Sequence, residues 1–104
     1  MQRKERDKMN KREYLLVCLM EECAEVQKAA SKALRFGLKD GNPSSNFTNA
    51  EDLENEISDF VSVANILAAE GAIILDANND ELIRKKDKVN RYMEYSKEQG
   101  TLTE

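Results

Sequence analysis

The sequence predicts an all-α protein built as an antiparallel helical bundle, and three observations predict it. Apolar side chains recur three and four residues apart over long runs, the spacing of one helical face, rather than alternating as in a strand. Glycine and proline fall in the gaps between those runs, at Gly37, Gly41, Pro43, Gly71 and Gly100. Charged residues make up 35% of the chain and hydrophobic ones 40%, a balance that suits helices with broad solvated faces. Disorder is the competing reading of such a composition, and the periodic placement of the apolar residues argues against it.

The first helix is expected over about 11–36. Leu15, Cys18, Glu22, Glu25 and Ala29 follow the spacing of a buried seam. Leu16, Leu19, Cys23, Val26, Ala30, Ala33 and Leu34 flank it, and Gly37 is the stop signal. Residues 1–10 are polar and mixed in charge, a frayed arm or the first turns of this helix. A loop follows, with Gly41, Pro43, Ser44 and Ser45. Thr48 or Asn49 caps a second helix over about 49–70, and Glu51 and Asp52 sit in its first turn, where negative charge is favoured. The apolar segment 72–76 is a turn of helix or an extended plug that buries its side chains. Asp76, Asn78 and Asn79 offer a break and a cap. A third helix is expected over about 80–99, with Leu82, Ile83, Val89 and Met93 as its apolar stripe and Gly100 at its end. The tail after it is expected to be loose.

A chain of 104 residues makes a single domain, 1–104, with its core over about 11–97. A core this small gains stability from oligomerisation. The net charge of −4 argues against a nucleic-acid binder. No run approaches the ~20 apolar residues of a membrane span, and the short apolar run after the basic N-terminus ends at Glu21, too early for a signal peptide. Cys18 and Cys23, five apart, lie well round the helix from each other and read as small buried hydrophobes in a reducing compartment. With no His, a Cys/His zinc site and a Glu-x-x-His di-iron site are excluded within the chain.

The acids on the seam are the anomaly. Glu22 and Glu25 lie one turn apart where the pattern calls for apolar side chains, and Glu56 and Asp59 repeat this ahead of Phe60, Val61, Ala64 and Leu67. Buried carboxylates are costly unless paired, protonated or bound to a cation. A loop of about a dozen residues favours antiparallel neighbours. At ~1.5 Å per residue, Glu25 and Asp59 then sit at a similar depth, about 15 Å from the loop. Four converging carboxylates repel each other without compensation, and Mg²⁺, which takes oxygen ligands and keeps waters or phosphate oxygens, matches them. The competing reading is ordinary exposed acids on helices rich in Glu and Lys. Glu21 could add a ligand, act as a base or orient a water. On the third helix, Lys86 and Asn90 continue the apolar stripe, and a cation and an amide donor are what a triphosphate beside a metal needs. Arg84, Lys85, Lys88 and Arg91 surround them, a solvated basic face in the plainer reading. Lys28, Lys32 and Arg35 could also reach phosphate; pairing with surface acids is the plainer reading for them.

Glu21-Glu22-Cys23-Ala24-Glu25, Glu56-Ile57-Ser58-Asp59 and Lys86-Asp87-Lys88-Val89-Asn90 resemble, in order and separation, the Glu-Glu-x-x-Glu, Glu-x-x-Asp and Lys-x-x-x-Asn motifs of the MazG-like all-α nucleoside triphosphate pyrophosphohydrolases. That family shares a superfamily with the dimeric dUTPases. Ser31-Lys32-Ala33-Leu34-Arg35-Phe36-Gly37 looks like the segment that follows the first motif in small phage and bacterial members. The resemblance implies a MazG-like bundle in a homodimer or a dimer-of-dimers tetramer. It implies Mg²⁺, with Mn²⁺ as a substitute, on Glu22, Glu25, Glu56 and Asp59. It implies hydrolysis of an NTP or dNTP to the monophosphate and pyrophosphate, in nucleotide-pool control or house-cleaning, in a bacterial or, for a phage protein, host cytoplasm. Glu21, Glu22 and Glu25 would serve catalysis, and Lys86, Asn90, Arg91 and Lys32 would hold the substrate. The chain departs from the family in having no Trp to stack on the base. Two other functions compete: a non-catalytic helical module that binds a cation or faces a partner, and a nucleotide sensor on the same fold.

Overall fold

The computed structural model describes residues 8–75 and 79–103. The arm at residues 1–7, the break and cap at Asp76 and Asn78, and Glu104 lie outside the described residues. Three α-helices account for the regular structure: α1 (Lys11–Phe36), α2 (Asn49–Ala69) and α3 (Asn79–Glu98). Among the described residues there is no strand, only an isolated bridge between Gly41 and Thr48.

Local chemistry sets the helix ends. Asn10 caps α1, its side chain accepting from the Glu13 amide while the Glu13 carboxylate accepts from the Asn10 amide. Thr48 and Glu51 make the same reciprocal pair at the start of α2. Each pair satisfies two amides that a helix start otherwise leaves open. Gly37 ends α1 at φ 95°, a conformation that a side chain would strain.

α1 and α2 form an antiparallel hairpin. At its closed end, the Asn49 side chain donates to the Gly37 carbonyl at 2.8 Å, and the Ala50 amide donates to the Leu38 carbonyl at 3.0 Å. At its open end, Lys11 Nζ pairs with the Glu70 carboxylate at 2.6 Å and Arg12 donates to the Glu70 carbonyl at 3.3 Å. Between these ends the helices meet on Ala29, Ala33, Ala64 and Leu67, and Leu67 is the one large side chain fully buried among the described residues. Three alanines at the contact let the backbones approach closely.

α3 packs against neither α1 nor α2. Its stripe of Leu82, Ile83, Val89 and Met93 is exposed. The radius of gyration is 18.4 Å, against about 13 Å for a compact domain of this length. The all-α class and the antiparallel pairing are therefore observed, while closure of the three helices around one core is not. Several expected burials change with it. Leu34 is 88% exposed, and Leu16 and Ala30 are exposed as well. The segment expected to plug the core is not helical over residues 72–75, and Ile74 is 90% exposed. The physical reason is common to all: one helix pair buries a single narrow stripe, and an apolar face wider than that needs another partner. No helix among the described residues is long and apolar enough to cross a membrane.

Candidate metal centre

The hairpin lays two polar stripes against each other. On α1 the stripe runs through Glu22, Glu25, Lys28 and Lys32 towards Phe36. On α2 it runs through Asn49, Asp52, Glu56 and Asp59, spaced three, four and three residues apart. Carboxylate oxygens of Glu22, Glu56 and Asp59 all lie within 4.8 Å of one another. Glu22 and Glu56 are half-buried and Asp59 is exposed. None of these three acids, nor Glu25, has a hydrogen-bond or ion-pair partner among the described residues.

Like charges held this close make ionisation harder, and Glu56 shows it. Its carboxyl is pushed above its ordinary value of 4.5, first by burial, then by the charges of Glu25, Asp59, Glu22 and Asp52. The donor set is hard oxygen from two rigid elements. Oxygens around Mg²⁺ lie about 3 to 4.2 Å apart, given bonds of ~2.1 Å. Small side-chain adjustments would bring the three acids to that spacing, so the residues fit a hard divalent cation.

The site residues expected from the sequence divide into three groups. Glu22, Glu56 and Asp59 are brought together. Glu25 is exposed on the flank of the seam and falls outside that triad, yet it is the charge that most affects Glu56 and it lines the adjoining cavity. Three residues past Glu22 is 300° of turn, which rotates Glu25 away from the contact line. Glu21 is exposed beside the triad in sequence. Lys32 lines the cavity with Lys28, and neither has an acidic partner among the described residues, where surface pairing was the plainer expectation. Lys86, Asn90 and Arg91 stand on α3, exposed, with no contact between that helix and the acids.

The cavity, about 230 Å³, is also lined by Asn42, Ser45, Asn49 and Asp52. Sequence reasoning treated Asn49 and Asp52 only as features of a helix start. The signal was present: both continue the spacing of Glu56 and Asp59 backwards by one and two turns. Cys18 and Cys23 are free thiols, half-buried.

The chain matches no protein-family model, no curated protein and no solved structure.

Proposed function

We propose that the protein is a Mg²⁺-dependent nucleoside triphosphate pyrophosphohydrolase, as its resemblance to the MazG-like enzymes implies. The observation that carries the reading is the uncompensated triad of Glu22, Glu56 and Asp59, three carboxylates from two helices within 4.8 Å and without an ion-pair partner among the described residues. Glu22, Glu56 and Asp59 would hold the cation, with Glu25 joining as its side chain turns in. A bound Mg²⁺ would supply charge neutralisation and polarise the phosphate oxygens.

The chain's own groups have distinct tasks. Lys28 and Lys32 offer ammonium donors one to two turns from Glu25, where a polyphosphate leaving the metal end would run. Water attacks the α-phosphorus, the bond from that phosphorus to the bridging oxygen breaks, and pyrophosphate leaves with the bond electrons. Glu21 or Glu25, both exposed beside the triad, takes the water's proton. Lys86, Asn90 and Arg91 join the site from a second copy of the chain in a homodimer or tetramer. Support for that assembly is the apolar surface left open: Ile57, Val61 and Ile66 on α2, and the whole stripe of α3.

The test is a panel of NTPs and dNTPs incubated with protein and Mg²⁺. Pyrophosphate and nucleoside monophosphate are expected in equal amounts. Orthophosphate with a diphosphate would mean a different phosphatase chemistry. Mg²⁺ stabilising the fold without any turnover would point to a non-catalytic module or sensor.

A further inference from the structure

The triad and its two lysines deal with one end of a nucleotide. A second cavity, about 360 Å³, opens off the first, and the two share Lys32, Asn42 and Asn49 in their walls. Away from the acids the wall becomes Phe36, Asp40, Gly41 and Pro43. We propose that this pocket, between the last turn of α1 and the 37–48 loop, receives the nucleoside of the substrate, with Phe36 as its stacking face and the Asn49 amide oxygen as its hydrogen-bond acceptor. The inference rests on the pyrophosphohydrolase reading and adds which part of the chain meets the base and sugar.

The gradient along the groove matches that occupant. Acids come first, then Lys28 and Lys32, then an aromatic ring and a proline. Glu25 and Phe36 are eleven residues apart on one helix, about 16 Å at 1.5 Å per residue. That length accommodates the α-phosphate and the sugar between the cation and the ring, with the α-phosphorus at the acid end beside Glu25. Together the cavities reach the range of about 300–1,000 Å³ typical of small-molecule sites.

Asn49 is the independent observation. Only 6% exposed, it lines both cavities. Its Nδ2 donates to the Gly37 carbonyl at 2.8 Å, which fixes which end of the amide is which. The other end, Oδ1, has no protein partner among the described residues. An amide oxygen that stays accessible on an otherwise buried residue, held in place by its own nitrogen, is a preset acceptor. Asp40 adds a second: its Oδ1 accepts from the Gly41 amide at 2.8 Å, and its other oxygen has no partner among the described residues. Two acceptors select for a donor on the nucleoside, an exocyclic amino group or a sugar hydroxyl. Arg35, which is not in the pocket wall, sits over Phe36 with its guanidinium carbon 5.1 Å from the ring centre, leaving the opposite face for a base.

The test measures Mg²⁺-dependent binding of α,β-methylene triphosphates of adenosine, guanosine, cytidine and uridine, ribo and deoxy, which resist cleavage. Inorganic tripolyphosphate serves as the probe that lacks a nucleoside. Phe36 is exposed, so Phe36→Ala leaves the fold intact. The variant is expected to bind its best nucleotide about tenfold more weakly, the effect of losing one base–aromatic stack. Its affinity for tripolyphosphate stays at the parental value, and Phe36→Trp keeps nucleotide binding. Amino against oxo bases, and ribose against deoxyribose, identify which donor Asn49 and Asp40 read. Parental affinity for every nucleotide in Phe36→Ala, or an equal loss for tripolyphosphate, overturns the inference and leaves the pyrophosphohydrolase reading standing. If the parental protein binds no nucleotide, that underlying reading fails and the inference with it.

Discussion

In the α1–α2 hairpin, Ala29, Ala33, Ala64 and Leu67 are buried between two helices; in α3, Leu82, Ile83, Val89 and Met93 recur at similar spacing and stand in solvent. Both regions are amphipathic, and both begin with acids in the first turn. What separates them is a partner. α2 is tied to α1 by a loop whose two ends are hydrogen-bonded together, so its apolar stripe finds a neighbour within the chain. Within α3, Arg84 pairs with Glu81 and Lys97 with Glu94, both i,i+3 ion pairs, each worth a few tenths of a kcal/mol. A lone helix of 20 residues with such support is marginal in water. The hairpin is therefore the part whose packing is supplied within the single chain, and α3 the part whose packing is not.

The contrast can be broken most sharply at the acids, which lie wholly on the hairpin. Glu22→Gln or Asp59→Asn is expected to lower turnover at least 100-fold, since losing even an outer partner of a metal ligand costs about 10- to 100-fold. Circular dichroism should show both variants folded. Parental rates in both would remove Glu22 and Asp59 as ligands. Next in size is Leu67→Ala, which empties the one fully buried large site and should destabilise the hairpin by about 2–5 kcal/mol in urea unfolding. Leu82→Ala on α3 is its counterpart. In dilute protein it should move the hairpin transition by less than about 0.5 kcal/mol, while shifting sedimentation towards the monomer at higher concentration. Equal effects of the two in dilute protein would mean that α3 shares the hairpin's core.

A smaller effect belongs to Glu56. Its carboxyl titrates higher in the folded chain than its ordinary value of 4.5, so below that value the group is neutral in both states and favours neither. As pH rises through the window above 4.5, the unfolded chain releases the proton first, and the folded state loses stability until the raised value is passed. Glu56→Gln should accordingly melt higher than the parent at neutral pH without metal, with the gap closing in acid and shrinking when Mg²⁺ is added. The smallest effect is at the open end of the hairpin. Lys11→Ala removes an exposed pair with Glu70 and should cost about 0.2–1 kcal/mol, less in high salt.

Much of this was legible in the sequence where the cause is local. The end of α1 follows from Gly37, and the bounds of α2 from Thr48, Glu51 and Gly71, because caps act within four residues; the Asn10–Glu13 box that starts α1 lay unread among the polar residues before it. The approach of the acids was legible in part: helical rise put Glu25 and Asp59 at a similar depth, while it is Glu22 that meets Glu56 and Asp59. The isolation of α3 was not. Periodicity says which face is apolar and is silent on what covers it, so Lys86 and Asn90 read as inward when the chain offers them no interior. Glu25 was assigned to the seam by a rounding of the helical turn that the contact line does not share. Asn49 was hidden because a polar residue at a helix start already has a sufficient explanation in capping.

The bridge between Gly41 and Thr48 has a consequence for anyone wishing to watch the molecule at work. A methyl group on Gly41 would lie 2.5 Å from the Phe47 carbonyl oxygen, so the chain is drawn tight there and residues 42–47 form a small closed ring of their own. Within it, Asn42 accepts from the Ser44 amide and Ser45 from the Phe47 amide. A fluorophore carried on Ser44, exposed between Pro43 and Ser45 in the walls of the two cavities, would therefore report on what enters the groove.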